Sequence, residues 1–332
     1  MELSIIIVSY NCAALLKKCL ASIYANAPDF DFEVIVVDND SQDNSEEHIT
    51  KEFNKVKWIN AGYNSGFSRA NNAGIRNSVG KYVLLLNPDT QVQKGFLKSF
   101  VEFYKQKDKQ GKLGLLGCRI ISSVDGSLLV GTGIGFPSIR KVLMSNPFVV
   151  FLQRVFKYNS IKKYNSTVMH YKNHEVDFVS GACVMIKRSV VFSKNLFLDE
   201  DFFLYSEDVE YSFRVKRAGY TNFFCSELEV LHVNSATTDN ISGGKSNQIL
   251  LSRFLFILKA YGVFYYLLYL FAIKMNWCIS KLFDFKNKLF ARDKAAIDIN
   301  IERQNNIVKQ YGFSILRNYY FKSPSTDYLR YV

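Results

Sequence analysis

The stretch Leu84-Leu85-Leu86-Asn87-Pro88-Asp89-Thr90 runs three leucines straight into a lone carboxylate. An apolar run of this kind suits a strand covered on both faces of a sheet. Proline has no N–H to give to a ladder, so Pro88 stops the strand. Asp89 is then presented at the sheet's carboxyl edge, where open α/β sheets bind their ligands. Asn, Pro and Asp are also ordinary turn residues, so the segment gains a function only through its surroundings.

Working outward, two patterns alternate over the first hundred residues. Ser4-Ile5-Ile6-Ile7-Val8, Glu33-Val34-Ile35-Val36-Val37 and Tyr82-Val83-Leu84-Leu85-Leu86 read as buried strands. Helix-like segments over Ala13–Tyr24, Ser45–Phe53 and Ser68–Asn77 lie between them, with Leu15, Leu16, Cys19, Leu20 and Ile23 on one face of the first. Strand and helix in alternation predict βαβ units and a mainly parallel sheet, an α/β fold. A basic excursion, about 131–175, interrupts the rhythm with Arg140, Lys141, Arg154, Lys157, Lys162 and Lys163. Strand character returns at Val184-Met185-Ile186, and a helix is expected from Glu207 to Ala218, stopped by Gly219.

The familiar phosphate loops are absent. A dinucleotide-binding unit places GxGxxG after its first strand, but Ser9-Tyr10-Asn11-Cys12-Ala13-Ala14 stands there with no glycine. There is no Walker GxxxxGK[ST] motif, and no glycine- and arginine-rich pyrophosphorylase loop. Forty-two basic against 30 acidic residues give a formal charge of +12, which favours anionic partners such as phosphorylated small molecules or lipid headgroups. No nucleic-acid recognition motif accompanies that charge. The six cysteines are scattered and read as reduced, and MELSIIIVSYN lacks the basic start of a signal peptide.

The segments IIIVSYN, VVDNDSQD, NSGFSRANNAG, LLLNPDT, GACVMIKR, FLDEDFFLYSEDVEYSFRVKRAGY and LHVNSAT follow one another over about residues 3–238. In that order they resemble the inverting glycosyltransferases of family two, and most of all its bacterial rhamnosyltransferase-like members. The resemblance implies a GT-A catalytic domain over 1–240, with a nucleotide-binding half to about 115 and an acceptor-binding half to about 240. It implies a nucleoside diphosphate sugar as donor, with dTDP-rhamnose the preferred one, and a polyprenyl-linked saccharide of a bacterial surface polysaccharide as acceptor. A UDP-hexose donor and a catalytically inactive assembly protein are the alternatives, and a homo-oligomer is left open.

Residue by residue, the resemblance places Asp38 on the nucleotide, with Ser9, Tyr10 and Asn11 beside it; a plain turn or cap remains the other reading of Asp38. Asn64, Gly66, Arg69 and Asn72 fall in a loop that opens a helix, whose free N–H groups attract phosphate. For Arg69 a solvated side chain is an equal reading. Asp89 resembles the last position of the family's DxD-type motif, although Asn87 and Pro88 stand where other members have further acids. The resemblance puts Asp89 on Mg²⁺ or Mn²⁺ with His232 as a second ligand, and Asn87 on the nucleotide sugar. Asp208 takes the part of general base, with Glu207 supporting it or binding acceptor, and Gly181 and Ala182 let the acceptor approach the backbone. His170 and His174 share i, i+4 spacing without an acid partner and read as surface residues.

The C-terminal region, 241–332, is expected to be helical, basic and membrane-associating. Phe254–Ile273 is twenty residues with one charge, Lys259, flanked by Arg253, Lys274, Lys281, Lys286, Lys288, Arg292 and Lys294. Its Tyr and Phe content fits a helix in the headgroup layer at the cytoplasmic face of the inner membrane; a buried helix ranks second and a span third.

Overall fold

Leu3, Ile5, Ile6 and Ile7 are fully buried, because β1 (Leu3–Ser9) lies inside a sheet covered on both faces. The structure is a computed structural model and describes residues 1–129, 132–146, 148–150, 152, 171–232, 244–284 and 294–321. After β1 the chain runs through α1 (Ala13–Ala25), β2 (Phe32–Asp38), α2 (Ser45–Glu52), β3 (Val56–Asn60), α3 (Gly66–Asn77) and β4 (Tyr82–Leu86). It continues with β5 (Thr90–Val92), α4 (Phe96–Lys107), β6 (Leu113–Ser122), α5 (Ile139–Met144), β7 (His174–Val176), β8 (Cys183–Lys187) and α6 (Arg188–Ser193). Last come α7 (Glu207–Arg217), β9 (Thr221–His232), α8 (Gly244–Asp284) and α9 (Lys294–Phe321). Two compact units result, Met1–Gly135 with Asn165–Ser242, and Phe136–Tyr164 with Gly243–Val332.

The first unit holds the sheet, in the order β3-β2-β1-β4-β8-β6-β9-β5, with β7 paired to β9. Ile5 and Ile7 face one side, with Leu16 and Leu20 of α1 and Phe100 and Tyr104 of α4. Ile6 faces the other, with Ile75 of α3 and Tyr211 and Val215 of α7. The alternation of side chains along a strand thus feeds two helical layers.

The parallel sheet expected from the sequence holds for β3-β2-β1-β4. Beyond β4 the sheet is mixed, because β8 runs antiparallel to both β4 and β6 while β6 and β9 are parallel. Two reversals restore direction, so β6 and β9 end at the same edge as β1, β2 and β4. Ser9, Asp38, Leu86 and His232 therefore share that edge, and Cys183 opens β8 opposite Leu86.

The second unit is built from α5, α8 and α9. Asn146 donates to the Asn276 backbone oxygen at 3.0 Å, Ile139 N–H donates to Tyr265 Oη at 3.1 Å, and Tyr266 Oη donates to Gly312 O at 2.8 Å. The apolar run Phe254–Ile273 does not form one continuous helix: Gly262 sits at φ 84°, ψ 173° and breaks α8 in two. Before the break Phe254, Leu255, Phe256, Ile257 and Leu258 are buried. After it Phe264 (74% exposed), Leu267, Leu268, Phe271 (62%), Met275 and Leu282 (72%) share one exposed face, with Cys278 on the same side. Tyr266, Tyr269, Leu270, Ile273 and Asn276 fill the opposite, buried face.

His174, read as a surface residue, opens β7 half-buried, with its ring against Phe224 and Nδ1 2.7 Å from Lys172 O. His170 lies outside the described residues, as do Arg154, Lys157, Lys162 and Lys163. Residues 136–146, read from sequence as part of an excursion from the core, belong to the second unit.

Candidate active site

At the ends of β1 and β2 the side chains lock two loops together. Asp38 is buried, and its carboxylate accepts from Ser41 N–H at 2.9 Å and Ser41 Oγ at 2.6 Å. Asn11, at φ 48°, accepts from Gln42 N–H at 2.7 Å through Oδ1, while its own N–H donates to Ser41 Oγ at 2.9 Å. Ser9 is buried with Oγ 3.4 Å from Cys12 Sγ, whereas Tyr10 is 45% exposed. A cavity of about 660 Å³ opens beside Asp38, lined also by Asp40, Glu46, Glu47 and Asn60. Four carboxylates in that lining repel phosphate.

The loop from Asn64 is less open than its sequence suggests. Gly66 N–H donates to Asn64 Oδ1 at 3.2 Å and Phe67 N–H to Phe203 O at 2.8 Å, so two amides of the first turn of α3 are already spent. Gly66 has φ +80°, and a Cβ there would stand 2.6 Å from the Phe203 ring and carbonyl. Asn72 corrects the sequence reading. It has no solvent exposure, and Nδ2 donates to Leu198 O (2.9 Å) and Glu200 Oε1 (3.0 Å) while Oδ1 accepts from Leu198 N–H (2.9 Å). Both of its amide hydrogens are used, so Asn72 pins the 198–200 loop instead of touching a ligand.

At the end of β4 the structure brings together residues far apart in sequence. Thr90 pairs with His232 in the β5–β9 register, which sets His232 Nε2 3.3 Å from Asp89 Oδ1. That approach is not aligned as a hydrogen bond: Asp89 Oδ1, His232 Nδ1 and Asn87 Oδ1 are buried without a hydrogen-bond partner among the described residues. Burial pushes the Asp89 carboxyl above its usual range, and the His232 charge pulls it back. Unsatisfied buried oxygens call for an explanation, and an oxygen-seeking cation supplies one. Among the described residues no group of three or more His, Cys, Asp and Glu side chains could hold a metal ion, and Asp89 and His232 are two such side chains in contact.

The acidic pair sits across the same edge. Asn87 N–H donates to Ala182 O at 3.0 Å, and the neighbouring Gly181 N–H donates to Asp208 Oδ2 at 3.2 Å. Val209 N–H holds the other Asp208 oxygen at 2.8 Å. Asp208 is half-buried, Glu207 fully so, and Glu207 Oε2 has no partner among the described residues. Burial and then the adjacent Asp208 push the Glu207 carboxyl up to about 8; burial also raises Asp208, against the two amides. Both carboxyls stand in the first turn of α7, reached through Tyr205 and Ser206 at φ 68° and 61°. Such strain in two successive non-glycine residues is typical of functional sites.

The model of a known family, Glycosyl transferase family 2, matches residues 4–192. The chain belongs to glycosyl transferase family 2. Within it, an N-acetylglucosaminyl-diphospho-decaprenol L-rhamnosyltransferase of Mycobacterium tuberculosis is 26% identical over 250 residues, covering 71% of this chain and 77% of the relative. The low-salt glycan biosynthesis hexosyltransferase Agl10 of Haloferax volcanii is 25% identical over 245 residues, 70% of this chain and 67% of that one. The mannosyltransferase PcManGT of Pyrobaculum calidifontis, solved with GDP-Man and Mn²⁺, superposes with a TM-score of 0.56 over 97% of this chain and 88% of its own, at 14% identity. S. aureus TarS 1–349 with UDP gives 0.51 over 97% and 92%, also at 14% identity. The family-2 chain is thus a glycosyltransferase of GT-A-like fold.

Sequence reading missed what supports the family-2 site from behind. Asn39 links the loops, its N–H donating to Ser9 O at 2.8 Å and its Oδ1 accepting from Ser65 Oγ at 2.8 Å. Arg214 anchors Phe197 O at 2.7 Å while pairing with Glu210. Neither has a local signal: Asn39 sits among turn residues, and Arg214 reads as an exposed helical arginine.

Proposed function

We propose that the protein is an inverting, metal-dependent glycosyltransferase that moves rhamnose from dTDP-rhamnose to a polyprenyl-linked saccharide, in the making of a bacterial surface polysaccharide. The approach of His232 to Asp89, with Asp89 Oδ1 and His232 Nδ1 lacking a hydrogen-bond partner among the described residues, carries this reading. Asp89 and His232 would hold Mg²⁺ or Mn²⁺, and the diphosphate would complete its coordination. When bound, the ion supplies positive charge against the departing nucleoside diphosphate.

This chain's own groups divide the remaining work. Ser9, Tyr10, Asn11 and Asp38 bind the nucleoside, and Asn64, Gly66, Arg69 and Asn87 border the diphosphate. Asp208 takes the proton from the acceptor hydroxyl at Oδ1 or Oδ2 as that oxygen attacks the anomeric carbon opposite the leaving group. Glu207 beside it stays protonated near neutrality and spares Asp208 a second negative charge. Gly181 and Ala182, with no bulk beyond Cβ, leave room for the acceptor.

The lipid character of the acceptor is inferred from the mycobacterial relative and from a Campylobacter jejuni glucosyltransferase named for a PP-undecaprenol substrate, 28% identical over 131 residues. A place at the cytoplasmic face of the inner membrane is supported by the exposed apolar face of α8, since large exposed apolar patches mark interaction surfaces. Thermal-shift measurements against dTDP-, UDP- and GDP-sugars with Mn²⁺ test the donor. Stabilisation by a UDP-hexose and not by dTDP-rhamnose would replace the rhamnose assignment. Absence of both transfer and donor hydrolysis would point to an inactive binding protein.

A further inference from the structure

Glu200 has no part in the chemistry assigned so far, yet its carboxylate collects groups from one face of α3. Oε1 accepts from Asn72 Nδ2 at 3.0 Å and from Arg76 Nη2 at 3.2 Å, and Oε2 lies 3.8 Å from Arg69 Nε. Positions three and four apart, or seven apart, share a helical face, so one carboxylate can meet all three. The same segment is held along most of α3. Phe67 N–H reaches Phe203 O at 2.8 Å, Leu198 and Asn72 exchange two bonds of 2.9 Å, and the Arg76 guanidinium lies 5.0 Å from the centroid of the Phe197 ring. Only Leu204 and the left-handed Tyr205 and Ser206 separate Phe203 from Glu207 and Asp208.

We infer that Glu200 is a positioning residue: through Arg69, Asn72 and Arg76 it fixes the distance between α3, on the donor side of the edge, and the turn that carries Asp208. The inference rests on the reading of Asp208 as the base. An ordinary surface ion pair contributes little. Glu200 differs because one of its partners, Asn72, is wholly buried and is committed at the same time to the Leu198 backbone. Removing the carboxylate leaves that amide hydrogen unsatisfied and frees the loop to shift. A displacement of about 1 Å at the reacting groups can cost about 10²-fold in rate.

The test compares Glu200→Ala, Glu200→Gln and Asp208→Asn in the full chain. Turnover is read as nucleoside diphosphate release from whichever nucleotide sugar stabilises the protein, and nucleotide binding by calorimetry with UDP, dTDP and GDP in Mn²⁺. Glu200→Ala is expected to lower kcat about 10- to 100-fold per folded molecule, with nucleotide Kd changed by less than about threefold. Glu200→Gln keeps an acceptor for Asn72 and is expected to recover most of the loss. Arg76→Gln removes one outer arm and serves where the Ala variant does not fold; it should lower kcat by about threefold or more, again with Kd held. An unchanged kcat, a loss of rate matched by loss of nucleotide binding, or a Gln variant no better than Ala overturns the inference. If Asp208→Asn is dead while Glu200→Ala is unimpaired, the positioning role alone fails. If Asp208→Asn turns over normally, the base reading fails and takes this inference with it.

Discussion

The Gly181 amide donates to Asp208 Oδ2 at 3.2 Å, so the backbone that opens β8 holds the carboxylate at the start of α7. The second oxygen accepts from the amide of the next residue, Val209, at 2.8 Å. Among the described residues Asp208 is therefore oriented by backbone amides, with no side-chain hydrogen bond to its carboxylate. Asp208→Asn keeps this shape and removes the basic oxygen. Turnover should fall by about 10²–10⁴-fold, while calorimetric binding of the nucleotide sugar persists.

Gly181→Ala probes the space beside that carboxylate. The new Cβ would meet Asp208 Cβ at 3.5 Å and the Phe67 ring at 3.6 Å, ordinary contacts that the fold can accept. The melting temperature should hold within about 2 °C. A higher KM for acceptor at unchanged donor KM is the expected kinetic signature; a lowered melting temperature would make Gly181 a folding residue instead.

Chelation tests the Asp89–His232 seat. EDTA should abolish activity, and Mg²⁺ or Mn²⁺ should restore it. If Asp89 and His232 hold the ion as proposed, Asp89→Asn and His232→Ala should each weaken metal-dependent nucleotide binding. Mn²⁺ paramagnetic broadening of the nucleotide phosphorus resonances, lost in both variants, checks the seat independently of turnover.

Glu207 gives the fold a dependence on pH. In the folded chain its carboxyl is pushed up to about 8, against an ordinary value of 4.5. Between these values the unfolded chain releases the proton first, so the unfolded state gains and stability falls as pH rises. Glu207→Gln remains neutral throughout. Its melting temperature should lose this decline, and the variant should gain on the native protein progressively from about pH 5 to about pH 8. Parallel melting curves for the two proteins would place Glu207 in an ionised state.

If the exposed face of α8 seats the protein on a membrane as proposed, it predicts how the protein is released. Salt screens charge attraction but not apolar insertion, so high salt should release only part of it from anionic vesicles. Phe264→Ser with Phe271→Ser removes the two most prominent aromatic side chains of that face. Each is worth up to about 1.5–3 kcal/mol when fully buried, so the salt-resistant fraction should largely disappear in co-sedimentation. If the native protein is instead dimeric in solution and the double variant monomeric, the face joins two chains.

The strands were legible where period and burial agree. Ile5, Ile6 and Ile7, or Leu84, Leu85 and Leu86, admit little but a covered strand. The edge presentation of Asp89 followed from Pro88. What the sequence could not carry was pairing across the chain. The β5–β9 register that meets Asp89 with His232 joins a three-residue strand to a twelve-residue one, and no local pattern announces it. His232 was singled out by resemblance alone. Asn72 was misread because an Asn in a loop-to-helix segment looks available, and its burial depends on Leu198 and Glu200. The apolar run from Phe254 read as one helix because a single Gly among nineteen helix-compatible residues is tolerated in most helices; here Gly262 takes a backbone angle that ends one helix and begins another.

Five of the six cysteines are buried, and Cys278 is the exposed one. It lies on the same side of α8 as Phe271, Met275 and Leu282. The native chain thus brings its own attachment point for a thiol-reactive, polarity-sensitive dye, on the face whose surroundings are in question, with no engineered residue needed. A blue shift on adding vesicles would report lipid contact in real time, and a nitroxide at the same sulfur would report its depth.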